Sequence, residues 1–397
     1  MLKALGLATA AATGGYIFYR QADVTTQFEL LSAMGPAVRM LDAETAHMIG
    51  IESAKRGLFP KETRPSPEIL RTTVWGREFS NPIGLAAGFD KNAEVIEPLM
   101  GLGFGFVEVG SITPKPQPGN PKPRAFRIKD LRAIINRYGF NSLGADAVQD
   151  NLLMWEKKSR ENPGMRGMLG VNLGKNKSSN DAATDYMIGI TKLGTFADYL
   201  VINVSSPNTP GLRSLQGRKE LDQLVGQVKT TRDRMRWGPQ GAPPLLVKIA
   251  PDLTEQDKQD IAAVVLKHKL DGLVISNTTV SRPGAVAAYP ESLEAGGLSG
   301  PPLMELSTQV LADMYHLTKG KVPIIGCGGV SSGDDAYRKV RAGASLVQIY
   351  TALAYEGPAV VPHIKARLAQ LLMNDGFKSV GEAVGADHRK GGVFHHR

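Results

Sequence analysis

Tyr199-Leu200-Val201-Ile202-Asn203-Val204 and Leu245-Leu246-Val247-Lys248-Ile249-Ala250 are two short, almost wholly apolar runs, each with one polar residue near its end. Between them Leu221, Leu224, Val225 and Val228 recur at the spacing of one helical face. Strands covered by helices on both sides have no solvent face, so their sequence shows no polar alternation. A helical period between two such runs therefore predicts a parallel strand–helix–strand unit. The unit repeats along the chain. Ile83–Gly88, Phe104–Gly110, Met168–Leu173, Gly272–Ser276, Val322–Gly326 and Leu346–Tyr350 are runs of the same kind, bounded by Gly, Pro or Asn. Helical stripes follow the fifth, sixth and eighth runs: Ile261, Val264, Val265 and His268; Leu303, Leu306, Val310 and Met314; Val361, Ile364, Leu368 and Leu371. Thr254 is placed to cap the first of these. Eight repeats predict an α/β fold closed into a (β/α)₈ TIM barrel. No G-x-G-x-x-G opens the first unit, which argues against an open dinucleotide-binding sheet.

Residues 63–387 are assigned to this barrel. Thr72 to Ser80, around Trp75-Gly76-Arg77, reads as a hairpin closing the N-terminal mouth. Thr113 to Pro123 is too rich in proline for a helix and reads as a long excursion after the second strand. Residues 21–62 hold two helical patterns. Leu30, Met34, Val38 and Leu41 are interrupted by Gly35-Pro36; Thr45, Met48 and Ile51 follow Asp42 as N-cap. From pattern alone these helices read as packing against the barrel; the alternative is an amphipathic patch on a membrane. Residues 1–20 read as a membrane anchor. Ala4 to Tyr19 is uncharged, lies between Lys3 and Arg20, and ends in Tyr16, Phe18 and Tyr19. It is short for a spanning helix, which needs about 20 residues. A cleaved signal is the rival reading, weakened by a single early lysine and the lack of a small-x-small site. The tail 388–397, with His395 and His396, carries no motif and reads as disordered.

The chain has 397 residues, 42% hydrophobic and 21% charged, with a formal net charge of +9. There is no long block of Lys and Arg and no interleaving of aromatic with basic residues, so nucleic acid is not the expected partner. Anionic lipid and anionic small molecules suit the charge better. The one cysteine, Cys327, excludes an intramolecular disulfide and a cysteine metal cluster. It reads as packing and not as a nucleophile. The seven histidines show no metal-ligand spacing, and no metal is expected.

In such barrels the active site lies at the C-terminal ends of the strands. Polar residues collect there: Asp90 and Lys91 after the first run, Ser111 after the second and Asn172 in the third. Asn203, Ser205, Ser206, Asn208 and Thr209 follow the fourth. Lys248 lies in the fifth run, Ser276, Asn277 and Thr278 end the sixth, and Tyr350 and Thr351 end the eighth. Asn and Lys inside apolar strands are costly unless partnered. One at almost every strand end argues for a ligand. Gly326-Cys327-Gly328-Gly329-Val330-Ser331-Ser332-Gly333 is a glycine-rich turn into a helix, suited to a phosphate. Lys248 could be a Schiff-base lysine or could hold negative charge on a flavin ring. The surrounding amides favour a planar, hydrogen-bonding heterocycle over an open-chain sugar phosphate.

Several stretches in order resemble the class 2 dihydroorotate dehydrogenases, over about residues 28 to 389. They are Ala86-Ala87-Gly88-Phe89-Asp90-Lys91, Asn136-Arg137-Tyr138-Gly139-Phe140-Asn141, Asn203 to Thr209, Leu246 to Asp252, Ser276-Asn277-Thr278-Thr279 and Gly296 to Gly300. The resemblance implies FMN, held by Ala86, Ala87, Gly88, Ser111, Asn172, Asn203, Lys248, Ser276, Gly300, Gly329, Tyr350 and Thr351. It implies dihydroorotate, oxidised to orotate, on Lys91, the segment Asn136, Arg137, Tyr138, Gly139 and Phe140, and Asn203, Asn208, Asn277 and Thr278. Ser206 would be the base, with Thr209 and Phe140 flanking its proton relay. The related soluble class uses cysteine as base, so Ser206 points to class 2. Ubiquinone would arrive through a tunnel under the N-terminal helices lined by His47, Arg127 and Tyr350, in a protein of the mitochondrial inner membrane with a single N-terminal anchor. Val38 departs from relatives that carry a polar glutamine there. At the residue level, another pyrimidine-reducing flavin barrel, a non-catalytic flavin-binding module tethered to a membrane and an aldolase-like barrel stay open.

Overall fold

Every one of the eight apolar runs supplies a strand of one closed parallel barrel in the computed structural model, which describes residues 15–161 and 167–389. The strands are Ile83–Leu85, Phe106–Ile112, Met168–Leu173, Tyr199–Asn203, Leu245–Ile249, Gly272–Ile275, Ile324–Cys327 and Leu346–Ile349. They pair in chain order, and the eighth closes on the first with Val347 opposite Ile83. The predicted helical stripes are the buried faces of Arg218–Arg234, Glu255–His268, Met304–Leu317 and Val360–Asn374. Thr254 does cap Glu255–His268, accepting from Asp257 N, while the Asp257 side chain returns a bond to the cap.

Two apolar layers result. One lies between strands and helices. The other fills the lower barrel: Phe106, Tyr199, Leu246, Val274, Ile325 and Leu346, with Val74 and Phe79 from the hairpin. That hairpin is Thr72–Val74 against Arg77–Phe79. Its turn, Trp75-Gly76, has φ of 56° and 68°, the doubly left-handed geometry that matches strand twist in a two-residue loop. Trp75 Nε1–H donates to Asp271 O at 2.7 Å, so the hairpin plugs the N-terminal mouth. Gly84 makes room for this layer: a Cβ there would stand 2.3 Å from the Phe106 ring.

The Pro-rich excursion leads into a sheet that the sequence did not announce. Ala125–Ile128, Ala133–Asn136 and Gly297–Ser299 form three antiparallel strands with their own small core of Ile128, Ala133, Ile135, Val286 and Leu298.

Residues 15–21 are helical, then Val24–Ala33, Gly35–Val38 and Ala43–Lys55 follow. Gly35-Pro36 ends the first pattern, as expected. Asp42 caps the second by accepting from Glu44 N and Thr45 N at 3.0 Å. Arg124 pins this helix through Glu44 at 2.8 Å. Leu30, Met34, Met40, Leu41, Met48 and Ile49 remain exposed. Among the described residues no helix is long and apolar enough to cross a membrane. Residues 1–14, which hold most of the expected anchor, and residues 390–397, with His395 and His396, lie outside the described residues.

Candidate active site

The C-terminal strand ends open into a cavity of about 400 Å³ that continues beneath the N-terminal helices. Its polar centre is built on Asn203, the last residue of the fourth strand. Asn203 Nδ2 donates to Ser111 Oγ at 2.9 Å and to Asn172 Oδ1 at 3.3 Å. Its Oδ1 accepts from Ser205 N, Ser205 Oγ and Asn277 Nδ2, at 3.2, 3.0 and 3.2 Å. One amide thereby ties the second, third, fourth and sixth strand ends together. Ser206 is 6% exposed and lines the cavity. Its Oγ accepts from Asn208 N at 3.3 Å, which orients it three residues beyond the strand. Asn208 Nδ2 in turn lies 3.4 Å from Asn136 Oδ1.

Lys91 comes from the turn after the first strand. Its Nζ donates to Gly88 O at 2.9 Å and sits 4.3 Å from the centre of the Tyr138 ring. Burial, with Arg124 nearby, pushes the Lys91 ammonium down to about 8. His47, from Ala43–Lys55, holds Phe89 O at 2.7 Å and meets the Phe89 ring edge-on. Burial first, and the Lys91 charge second, lower it to about 3, so its ring is neutral at working pH. Tyr350 donates to Gly88 O at 3.1 Å, and burial drives its hydroxyl far above the ordinary tyrosine range. Arg127 donates to Leu41 O at 2.6 Å and Arg39 O at 3.2 Å, joining the helices to the three-stranded sheet.

The sequence-derived residues Ala86, Ala87, Gly88, Lys91, Ser111, Asn136, Tyr138, Gly139, Phe140, Asn203, Ser206, Asn208, Lys248, Ser276, Asn277, Thr278, Gly300, Gly329, Tyr350 and Thr351 all line this cavity, with His47 and Arg127. Two do not. Asn172 stands behind the wall, fully buried, and acts through Ser111 and Asn203. Arg137 turns away: its guanidinium pairs with Glu294 at 2.6 Å and stacks 4.5 Å from the Phe126 ring. A nearby carboxylate and an aromatic face thus claim the guanidinium outside the cavity, while its neighbours Asn136 and Tyr138 line the wall.

Several buried polar groups point to a ligand of defined chemistry. Lys248 is 5% exposed, lines the cavity and has no hydrogen-bond or ion-pair partner among the described residues. Gln348 Oε1 and Asn141 Oδ1, in the same wall, are buried without hydrogen-bond partners among the described residues. Buried polar groups of this kind are normally satisfied. At the seventh strand end Gly328 and Gly329 have φ of 107° and 82°. A Cβ on Gly329 would fall 2.4 Å from the Met304 backbone. The turn runs into Gly333–Arg341, whose Ser332 cap accepts from Asp335 N. The cap takes up the amides of Ser331, Ser332 and Asp335, and the glycine backbone before it is the part of the turn that can approach a phosphate. A heterocycle with both donor and acceptor atoms, carrying a phosphate, fits this set, in which Lys248 donates and the two amide oxygens accept. Cys327 borders the cavity, and burial pushes its thiol up, which suits packing and not nucleophilic attack. Among the described residues no cluster of His, Cys, Asp or Glu is arranged for a metal ion.

Sequence reasoning missed the layer beneath. Glu108, wholly buried, accepts from Asn172 Nδ2 at 2.8 Å, Tyr199 Oη at 3.0 Å and Gln348 Nε2 at 2.7 Å. A glutamate inside the run Phe106-Val107-Glu108-Val109 was the available signal.

A closed α/β barrel whose strand ends pool amides, one unpaired lysine and a buried serine is a cofactor-dependent barrel enzyme. The family model described as dihydroorotate dehydrogenase matches residues 69–372. A protein of Oryza sativa subsp. japonica named dihydroorotate dehydrogenase (quinone), mitochondrial, is 58% identical over 91% of this chain and 81% of the relative. The Mus musculus protein of the same name is 52% identical over 98% of each. Ligand-free DHODH from Eimeria tenella superposes with a TM-score of 0.85 at 44% identity, covering 88% of this chain and 100% of that one. The chain belongs to the dihydroorotate dehydrogenase family.

Proposed function

We infer that this chain is a quinone-dependent dihydroorotate dehydrogenase, an oxidoreductase of pyrimidine biosynthesis. The observation that carries the reading is the convergence of Ser206, Lys91 and the amides of Asn136, Asn203, Asn208 and Asn277 on the cavity that also takes in Lys248 and the Gly328-Gly329 turn. Lys91 supplies a cation for the substrate carboxylate. The amides match the ring's imide donors and acceptors. Ser206 Oγ takes the proton from C5 of dihydroorotate, and the electron pair of that C–H bond becomes the C5–C6 double bond of orotate as hydride leaves C6. The family is one of flavoproteins. When bound, a flavin supplies the hydride acceptor. We assign the flavin as FMN, because the turn before Gly333–Arg341 suits one phosphate, and Ala86, Ala87, Gly88, Ser111, Lys248, Ser276, Gly300, Tyr350 and Thr351 line the same cavity. Asn172 would act from behind, by orienting Ser111 and Asn203. A serine hydroxyl is a weak base alone and needs a relay. Thr209 Oγ1, buried and without a partner, lies three residues away and is the candidate.

The quinone would enter where the cavity runs under residues 21–62, past Leu31, Val38, Ala46 and His47. In support, this stretch is apolar, and the helices expose Met34, Met40 and Met48 as a membrane would require. Localisation to the mitochondrial inner membrane through residues 1–20 is part of the proposal, supported by relatives in rice and mouse named mitochondrial. The test is the anaerobic visible spectrum. Dihydroorotate should bleach the oxidised flavin, and a ubiquinone analogue should restore it. A flavin that stays oxidised removes the substrate assignment. In Ser206→Ala the bleaching rate at neutral pH should fall by a factor on the order of 10²–10⁴, the usual worth of a general base.

A further inference from the structure

The loop that carries Ser206 leaves Tyr199–Asn203 and runs without regular structure to the turn Arg213–Gln216. Arg213 reaches back from that turn. Its Nε donates to Ser205 O, its Nη2 to Thr278 O and its Nη1 to Asp252 Oδ2, each at 2.9 Å. The three acceptors belong to the loops after the fourth, sixth and fifth strands. Asp252 completes the joint. It also accepts from Thr279 Oγ1, from Val280 N at 3.1 Å and from Ser281 Oγ at 2.9 Å. The pair is largely shielded, with side chains 22% and 14% exposed. Neither residue lines the cavity, so neither touches a ligand, but Ser205 precedes Ser206 and Thr278 is in the wall.

A guanidinium offers its donors in a rigid planar fork. Three bonds from one fork therefore fix three loops relative to each other. The far side of the Ser206 loop has its own tether, Asn120 Nδ2 to Asn208 O at 3.1 Å. Loss of Arg213 would leave the Ser205 backbone unheld on the side facing Thr278, where only the side-chain bond from Asn277 Nδ2 to Ser205 Oγ at 3.0 Å remains.

We propose that Arg213, held by Asp252, is the positioning residue for the Ser206 base: it clamps the serine loop against the Asn277-Thr278 loop and sets the approach of Ser206 Oγ to the proton it removes. This rests on the dihydroorotate reading. A misplacement of about 1 Å costs reacting groups on the order of 10²-fold in rate. The experiment uses full-length, flavin-loaded protein in anaerobic stopped flow and follows flavin reduction by dihydroorotate and reoxidation by a ubiquinone analogue separately. In Arg213→Met the limiting rate of reduction should fall about tenfold to a hundredfold, with flavin content and reoxidation rate unchanged. Asp252→Asn should move the same way. Arg213→Lys should restore part of the rate, since a point charge keeps Asp252 but not the fork. The double variant should be little slower than the slower single, because the two act as one unit. Reduction at the wild-type rate in both single variants overturns the proposal. So does a loss shared equally by reoxidation and flavin content, which marks a merely structural pair. If the wild-type flavin is not bleached, the function falls; if it is bleached and the variants match it, only this inference falls.

Discussion

Lys91 is a cation held in a buried wall with a carbonyl and an aromatic face for company, and it makes no ion pair among the described residues. Burial is the main reason its ammonium titrates near 8. In the free protein the charge is present below that pH and lost above it. On the proposed reading, dihydroorotate brings the missing carboxylate. Its KM should therefore rise as pH climbs past about 8, approaching about tenfold per unit, while the limiting rate does not fall with it. A pH series of flavin reduction checks this; a flat KM to pH 10 would refute it. The residue scale also shows what the sequence could say. Lys248 and Asn203 were visible as polar residues in apolar strands, because an unpaired polar group in such a place needs a reason. Ser206 was readable by resemblance; alone it is a loop serine. Glu108 escaped notice because its partners lie 64, 91 and 240 residues away. Arg213 and Arg137 look alike in the chain, and only folding reveals which carbonyls or carboxylates each one finds.

The elements with local causes were legible. Asp42 and Thr254 cap because their side chains accept from amides three residues on, and Trp75-Gly76 turns because both residues take positive φ. The three-stranded sheet had no such mark. In Ala125–Ile128 one position of four is fully buried, too little alternation to read, and its third strand lies far along the chain. The helix Ala43–Lys55 carries a pH consequence of its own. The folded pKa of His47 is depressed to about 3, so the unfolded or undocked segment binds more protons between that value and about 6.5. Docking is then fully stable above about pH 6.5 and weakens as pH falls toward 3. Amide protection factors across residues 43–55 should fall below pH 6, ahead of those in the barrel strands; uniform protection would contradict it. Removing residues 1–62 should slow quinone turnover and leave flavin reduction by dihydroorotate largely intact. Equal loss of both half-reactions would count against separate sites.

At the scale of the whole molecule, eight repeats foretold closure, since a parallel sheet of that many units can bury its edges by meeting itself. What the count could not give was how the two mouths differ. The lower one is stoppered by Val74, Trp75 and Phe79 against Phe106 and Tyr199. Trp75→Ala should destabilise the fold by about 3 kcal/mol, the low end for a large aromatic because the ring is half-buried, without changing the rate of flavin reduction. Denaturant titration beside stopped flow would separate the two effects.

That stopper makes the barrel a vessel with one opening, and the opening is roofed in turn by residues 21–62. Whatever lies deepest has to be loaded first. On the proposed reading a flavin on the strand ends lies beneath Ala43–Lys55, whose His47 reaches Phe89, so removing residues 1–62 should let it exchange faster.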